Sequence, residues 1–154
     1  MNKITAYYFR LCWLLFLLTA CYGSTVDVYV DTTSTNSLGT QVSPYSTLTQ
    51  ALTDTSILSQ GGIIFTTPSQ TLSDLVTTID IPSSVTITIT SLTSERTELI
   101  FTSSAAFNLQ SSSCLNLTNI DLQISSSSVL SSLFSVGASA QLIISNSKIT
   151  IIDQ

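Results

Sequence analysis

The ionisable side chains of this 154-residue chain are few, and their types limit the chemistry that it can perform. Histidine is absent, which excludes His-dependent triads, histidine general bases and histidine-containing zinc sites. Asp121 and Lys148 occupy equivalent positions of a repeat described below, and we expect them to form a surface ion pair. An active site built on them is the alternative, but no second carboxylate falls on the same face for acid–base catalysis. We predict no catalytic residues, no metal site and no cofactor.

Charged side chains cluster at one place only, in Leu92–Glu98, where Glu95, Arg96 and Glu98 lie close together. A solvated loop is the expected role of this segment, and a contact with a ligand is the alternative.

Glycine-rich ligand loops are also excluded. Only four glycines follow residue 24, and they form neither a phosphate-binding nor a dinucleotide-binding pattern.

The N-terminus has the features of an export signal. The apolar stretch Leu11–Ala20 follows two positive side chains, is short for a membrane span and is followed by small residues. Residues 1–24 are therefore predicted to be a signal peptide. In a bacterium, Leu18–Cys21 also has the residue types of a lipobox in which Cys21 becomes lipidated, and an uncleaved anchor is a third interpretation. All three direct the protein to secretion or to the cell surface.

The chain after residue 24 is acidic. Arg96 and Lys148 are its positive side chains against nine acidic ones, which gives a formal charge of −7. Nucleic acids and anionic membrane surfaces are bound through clusters of Lys and Arg, so this composition excludes both as partners. We expect no membrane span after signal cleavage.

Two side chains are candidates for modification. If cleavage removes Cys21, Cys114 stays alone, either as an inert free thiol, which we expect, or in an intermolecular disulfide. Asn116 begins the glycosylation sequon Asn116–Thr118, and it alternates outward between two inward leucines. A glycan is expected there if the source is eukaryotic, and the sequon has no meaning in a bacterium.

A gapless internal repeat is the strongest structural signal in the chain. Residues 107–124 align with residues 134–151 at an offset of 27, and the apolar residues within each copy alternate. In each copy we therefore expect three short strands joined by corners, stacked on those of the other copy. Asn119 and Asn146 fall on the same corner. Asn tolerates the left-handed backbone of a tight corner, and the stacked amides are expected to form a hydrogen-bonded ladder.

The chain before the repeat predicts further strands and one helix. Alternating or apolar runs indicate strands at Val26–Asp31, Ile63–Phe65, Val76–Ile81, Val85–Thr90 and Leu99–Phe101. The period changes over Pro44–Leu58, which predicts a short helix that begins at Ser46 or Thr47. Its apolar face would consist of Leu48, Ala51, Leu52 and Ile57.

The Asn-cornered repeat and the N-terminal run VYVDTT, LGT, SPYSTLTQAL and GGIIF resemble the pectin-lyase-like superfamily. The resemblance spans Val26 to Gln154 and implies an all-β fold, a right-handed single-stranded parallel β-helix with a short N-terminal capping helix. The chain then divides into a signal peptide (1–24), an N-terminal strand, loop and capping helix (25–62) and β-helix coils (63–154). No polar cap follows the last strand, so we expect an uncapped C-terminal end, either in a fragment or covered by another molecule.

Two function classes remain, because such a fold hosts many activities. The first is an exported, non-catalytic β-helix module for surface structure, adhesion or carbohydrate binding through Ser, Thr and Asn ladders, with carbohydrate or another surface protein as partner. The second is the N-terminal fragment of a polysaccharide lyase or glycoside hydrolase whose catalytic coils lie beyond the C-terminus. The superfamily's lyases use an acidic Ca²⁺ cluster and a basic residue, and related hydrolases use groups of Asp. The acidic and basic residues of this chain match neither pattern. A β-sandwich adhesin is a third interpretation, in which Leu115 and Leu142 would not be neighbours on parallel strands.

Overall fold

Short parallel strands make up most of the described structure. The computed structural model describes residues 25–101, 106–125 and 133–152. The predicted signal peptide with Cys21, and the last two residues of the chain, lie outside these ranges. Within them the strands are β1 (Val26–Val30), β2 (Gly62–Thr66), β3 (Thr71–Leu72), β4 (Thr78–Ile81), β5 (Thr86–Ser91), β6 (Thr97–Phe101), β7 (Ala106–Leu109), β8 (Cys114–Thr118), β9 (Ile120–Ser125), β10 (Phe134–Val136), β11 (Gln141–Ser145) and β12 (Ile149–Ile152). Two short helices, α1 (Leu48–Leu52) and α2 (Thr55–Gln60), lie between β1 and β2.

The described strands form three parallel sheets. The five-stranded sheet has the order β1-β2-β5-β8-β11, the four-stranded sheet β12-β9-β6-β3 and the three-stranded sheet β10-β7-β4. From β2 onward, consecutive strands belong in turn to the five-, four- and three-stranded sheet. Leu115 and Leu142 are neighbours on the parallel strands β8 and β11, which contradicts the β-sandwich alternative. The chain is thus mostly β with parallel sheets, as the sequence predicts.

The strand register places residues that are 27 positions apart side by side. β7 pairs with β10 so that Phe107 lies beside Phe134, and β9 pairs with β12 so that Ile124 lies beside Ile151. A slip of one residue would turn every apolar side chain of a strand to the opposite face. The alternating sequence pattern therefore keeps the apolar side chains aligned from strand to strand.

The core consists of columns of apolar side chains that cross the strands on their inward side. One column of the five-stranded sheet contains Ile64, Ile89 and Leu117, all fully buried. On the three-stranded sheet the rings of Phe107 and Phe134 stack with their centroids 5.9 Å apart. Complete burial of one such side chain contributes about 1.5–3 kcal/mol. Stacking of matched apolar positions is therefore the main stabilising interaction.

Two short helices replace the single helix predicted over Pro44–Leu58. Thr47 caps α1, and its side chain accepts a hydrogen bond from the first turn. The carboxylate of Asp54 accepts from the N–H of Ser56 and begins α2, so the chain turns between the helices. No helix among the described residues is both long and apolar enough to cross a membrane. The apolar face has the predicted members, all fully buried: Leu48, Ala51, Leu52 and Ile57.

Two strand boundaries differ from the sequence predictions. The strand expected at Val76–Ile81 begins at Thr78, and a strand of two residues, Thr71–Leu72, precedes it. Two residues are too few to show alternation, and this strand is held by its pairing with β6. β6 begins at Thr97, so the loop predicted to reach Glu98 ends earlier than expected.

Small polar residues form the corners between the sheets. Among the described residues, those other than glycine with φ between 48° and 64° are Ser69, Ser84, Ser112, Asn119, Ser139 and Asn146. Short polar side chains tolerate this left-handed backbone because they hydrogen-bond locally. After the five-stranded sheet, Asn119 alone separates β8 from β9, whereas residues 67–70 follow β2, residues 92–96 follow β5, and the long segment 31–61 with both helices follows β1.

The second repeat is less covered than the first. Ile124 is 1% exposed, whereas Ile151, which lies beside it, is 63% exposed. Leu115 is likewise fully buried, and Leu142 is only partly buried. Within the described residues β10, β11 and β12 each lie at the edge of their sheet, so their inward side chains are covered from one side only.

Truncation of Leu115 and Leu142 to alanine tests this difference. We expect Leu115→Ala to lower the free energy of unfolding by about 2–5 kcal/mol, because it opens a cavity at a fully buried position. Leu142→Ala should cost clearly less, because that side chain is partly in solvent. Urea denaturation of both variants and the wild type, followed by circular dichroism, measures the two losses. Equal losses would contradict one-sided coverage of the second repeat.

Candidate functional site

The outward side chains of the five-stranded sheet form a continuous surface, here called the outer face. The register aligns them in two rows that cross the strands. One row is Asp27, Ile63, Thr88, Asn116 and Ile143, and the other is Tyr29, Phe65, Thr90, Thr118 and Ser145. Aromatic side chains thus lie at the β1–β2 end of the face, and hydroxyl and amide side chains follow on β5 and β8.

An aromatic pair is the most distinctive feature of the outer face. Tyr29 and Phe65 occupy paired positions of β1 and β2, and their rings stack with centroids 5.1 Å apart and planes inclined by 22°. Such pairs contribute about 0.5–1.5 kcal/mol beyond the burial of their area, so the two rings hold one another in place. Both side chains are half-buried, which leaves part of each ring free to contact a ligand.

An open pocket of about 250 Å³ lies where β1 and β2 end. Its lining combines apolar, polar and charged side chains, among them Tyr29, Asp31, Gln41, Phe65, Thr67 and Leu92. Pockets that enclose drug-sized ligands have roughly 300–1,000 Å³. This smaller pocket suits a single ring or one charged group of a longer ligand that continues along the outer face.

The segment from Asp31 to Tyr45 folds back along β1 and forms one wall of the pocket. The N–H of Tyr29 donates to the carbonyl of Gly39 at 2.9 Å, and the N–H of Tyr45 donates to the carbonyl of Tyr29 at 2.8 Å. Gly39 has φ +70°, and a Cβ there would lie 2.4 Å from the ring of Tyr45, so a side chain does not fit. The free edge of β1 is thereby paired, and the wall has a fixed position.

Asp31 places an ionised carboxylate at the pocket. Its Oδ1 accepts from the Thr33 hydroxyl at 2.7 Å and from the Thr33 N–H at 2.9 Å. These bonds, the hydroxyl first, lower the pKa of Asp31 below its ordinary value. Among the described residues the one salt bridge joins Arg96 to Asp121, so no cationic side chain in those ranges neutralises this carboxylate.

Tyr45 also ties the wall of the pocket to the helices. Its hydroxyl donates to Oδ2 of Asp54, the residue that caps α2, at 2.6 Å. This hydrogen bond raises the pKa of Tyr45 to about 12 and, as its largest cause, lowers the pKa of Asp54. One contact therefore fixes both the pocket wall and the start of α2.

The two asparagines of the predicted ladder lie on neighbouring corners. Nδ2 of Asn146 donates to Oδ1 of Asn119, and the hydroxyls of Thr118 and Ser145 are 2.9 Å apart in the preceding position. The N–H of Asn119 donates to the carbonyl of Ser145 at 3.2 Å. These contacts join the two repeats and lie away from the pocket.

The two candidates for modification lie on β8. Asn116 is half-buried on the outer face, and its Oδ1 accepts from the Thr118 hydroxyl at 3.1 Å, so the polar residues of the sequon contact each other. Cys114 is a half-buried free thiol that lies beside Gln141 of β11. Neither side chain lines the pocket.

Asp121 forms an ion pair with Arg96 and not, as the sequence predicted, with Lys148. Oδ1 of Asp121 contacts a guanidinium nitrogen of Arg96 at 3.1 Å, and Lys148 donates its backbone N–H to the same oxygen at 2.8 Å. The prediction was wrong because Arg96 directly precedes β6, whose pairing with β9 brings it over Asp121. Both side chains are about one-third exposed, so the pair contributes little to stability.

Three further carboxylates are dispersed over the structure and bonded to neutral neighbours. Glu95 accepts from the hydroxyl of Ser69 at 2.9 Å, and Glu98 accepts from the hydroxyl of Thr71 at 3.1 Å. Asp80 accepts from the amide of an asparagine on β7 at 2.6 Å. Across residues 25–101, 106–125 and 133–152, no group of three or more Cys, Asp or Glu side chains is arranged to hold a metal ion.

The pocket is a feature that the sequence interpretation missed. Alternation within β1 and β2 does place Tyr29 and Phe65 outward, and two outward aromatics at paired positions were a readable signal. The fold-back segment after β1 has no periodicity, so its contribution to a pocket was not predictable.

No protein-family model, curated protein or solved structure matches the chain.

Substitution of Asn119 separates the two roles of that residue. We expect Asn119→Ala to lower the free energy of unfolding by about 2 kcal/mol, because it loses the amide hydrogen bond and strains a backbone with φ 57°. Asn119→Gly should cost less, because glycine adopts that backbone freely. Chemical denaturation compares the two variants, and a glycine variant as destabilised as the alanine variant would contradict the backbone role.

Tyr45→Phe should flatten the pH dependence of stability. The folded pKa of Asp54 lies below 3.8, so its contact stabilises the folded state above that value and is lost as the pH falls through the folded pKa. The folded pKa of Tyr45 lies near 12, so its stabilisation is complete below pH 10.0 and is lost as the pH rises toward 12. Denaturation at acidic, neutral and alkaline pH measures both limbs. Tyr29→Phe, which removes a hydroxyl outside this contact, is the control, and an unchanged profile in Tyr45→Phe would refute the coupling.

Proposed function

We propose that this chain is an exported, non-catalytic carbohydrate-binding module. In this proposal it folds as a right-handed parallel β-helix of the pectin-lyase-like type, and the outer face of its five-stranded sheet is the binding surface. The stacked pair Tyr29 and Phe65, set beside rows of hydroxyl and amide side chains and a small pocket, is the observation on which the proposal depends.

The order of the strands supports the proposed β-helix. Consecutive strands visit the five-, four- and three-stranded sheets in turn, and each pairs in parallel with a strand one repeat away. Crossovers between parallel strands of one sheet are right-handed in about 98% of cases, which supports the handedness. Export is supported by the features of residues 1–24 in the sequence.

The chemistry of the outer face suits a sugar polymer. A sugar ring presents apolar C–H groups on its faces and hydroxyl groups around its rim. Half-buried aromatic rings contact the former, and hydroxyl and amide side chains such as Thr88, Thr90 and Asn116 both donate to and accept from the latter. The rows advance from strand to strand by about 4.8 Å, so an extended polymer that lies across the strands meets aromatic rings at the β1–β2 end and hydroxyl and amide groups on β5 and β8.

Binding without turnover is the proposed activity because of how the carboxylates are arranged. Glycoside hydrolysis requires two carboxyl groups about 5–9.5 Å apart on either side of the scissile bond. Asp31 is the carboxylate that lines the pocket. Asp27 also lies on the outer face, but four residues of extended chain separate it from Asp31 by about 13 Å, which exceeds that range. Glu95, Glu98 and Asp121 are bonded to neighbours on other sheets or corners.

Removal of the aromatic pair tests this function. We expect the wild type to be retained by one or more insoluble polysaccharides in a pull-down panel, and Tyr29→Ala and Phe65→Ala to weaken retention about five- to tenfold. The reason is that each loses an aromatic contact worth about 1–1.5 kcal/mol. Isothermal titration with soluble oligomers of the retained sugar gives the affinities.

The matched control is Ile100→Ala, which removes a half-buried outward side chain from β6 of the four-stranded sheet. It should leave retention unchanged, and circular dichroism should show all three variants folded. If no polysaccharide retains the wild type, or if Ile100→Ala weakens retention as much as Tyr29→Ala, the proposed function is wrong.

A further inference from the structure

The pocket beside the aromatic pair has a definite charge preference. Its lining residues include Tyr29, Phe65 and Asp31, and the carboxylate of Asp31 is oriented by two hydrogen bonds from Thr33. The pocket is open to solvent and therefore accessible to a ligand. A ligand group placed there meets a fixed negative charge and two aromatic rings.

Within residues 25–101, 106–125 and 133–152, no salt bridge joins Asp31 to a cationic side chain. After residue 24 the sequence contains Arg96 and Lys148 as its positive side chains. Arg96 is paired with Asp121 on the four-stranded sheet, and Lys148 contributes its backbone to the same carboxylate. An anionic sugar such as a uronic acid would therefore approach negative charge both at the pocket and over the chain after residue 24, whose formal charge is −7.

A protonated amine is the sugar substituent that complements this pocket. A carboxylate accepts charge-assisted hydrogen bonds from an ammonium group, and aromatic rings attract cations through their faces. Neutral hydroxyl groups would also bond to Asp31, but without the charge that the carboxylate offers. Gln41 and Thr67, which also line the pocket, can both donate and accept and suit the neighbouring hydroxyls of the same sugar.

We propose that the pocket binds an amino-sugar residue, with the free ammonium group at Asp31 and the ring against Tyr29 and Phe65. This inference rests on the proposed carbohydrate-binding function and narrows its ligand to glycans with unacetylated amino sugars. Acetylation removes the positive charge from the nitrogen. A uronic acid has no amine and carries a negative carboxylate. Both changes should therefore weaken binding at this site.

Three soluble oligomers of equal length provide the test: a glucosamine hexamer, an N-acetylglucosamine hexamer and a galacturonate hexamer. Titration calorimetry on the chain without residues 1–24 should give an affinity for the glucosamine hexamer about tenfold above that for its acetylated form. That factor corresponds to one charge-assisted hydrogen bond. The galacturonate hexamer should bind most weakly, and added salt should reduce both the preference for glucosamine and the penalty for galacturonate, because it screens attraction and repulsion alike.

Asp31→Asn is the decisive variant. Asparagine keeps an oxygen that accepts from Thr33, so the local fold is retained while the charge is lost. It should abolish the tenfold preference for glucosamine and leave the affinity for the acetylated hexamer within about twofold. The matched control is Asp80→Asn, which removes one unit of charge from the three-stranded sheet. It should leave the preference intact.

Each other outcome has a distinct meaning. If acetylated and free hexamers bind the wild type equally, and Tyr29→Ala weakens both, the amino-sugar inference is wrong although the carbohydrate-binding function stands. If Asp80→Asn lowers the preference as much as Asp31→Asn, or if polylysine competes as well as the glucosamine hexamer, general charge attraction replaces the pocket and the inference is again wrong. If no glycan binds, both proposals fail.

Discussion

Parallel pairing between residues one repeat apart is the constraint on which the rest of this structure depends. The pairing aligns apolar side chains into columns, and each member of a column is buried by its neighbours on the strands before and after it. Leu115, with β5 on one side and β11 on the other, is fully buried, whereas Leu142, with a paired strand on one side only, is not. The stability of a strand therefore comes from the adjacent repeats as much as from its own residues.

The same constraint explains which elements were predictable from sequence. Long alternating runs such as Val26–Asp31 and Val85–Thr90 correspond to β1 and β5 within one residue, because alternation is a local signal of an inward and an outward face. The apolar face of the helical segment was also identified correctly. The alignment of the two copies of the repeat predicted neighbours such as Leu115 and Leu142, which the strand register pairs.

The features that were missed depend on contacts far apart in the chain. Thr71–Leu72 forms a strand only because β6 lies beside it. Asp121 pairs with Arg96 and not with Lys148 because β6 begins at Thr97. The sequence predicted a loop there, since the segment before β6 is charged. The pocket requires the segment after β1 to return along its edge, and Gly39 is the one local residue that permits the close approach to Tyr45. Sequence patterns carry periodic information, and none of these features is periodic.

The position of the pocket follows from this division between periodic and non-periodic parts. The corner that follows the five-stranded sheet at Asn119 is a single residue with a left-handed backbone, and it contributes nothing to the pocket. The segment after β1 and the segment that begins at Leu92 after β5 are longer, and both contribute to the pocket. Inward positions must remain apolar to preserve the columns, so side chains that recognise a ligand are restricted to outward rows and to such loops. The aromatic pair and Asp31 lie where an outward row meets these two loops. Side chains at this place need not be apolar, and the adjacent sheet holds them in position.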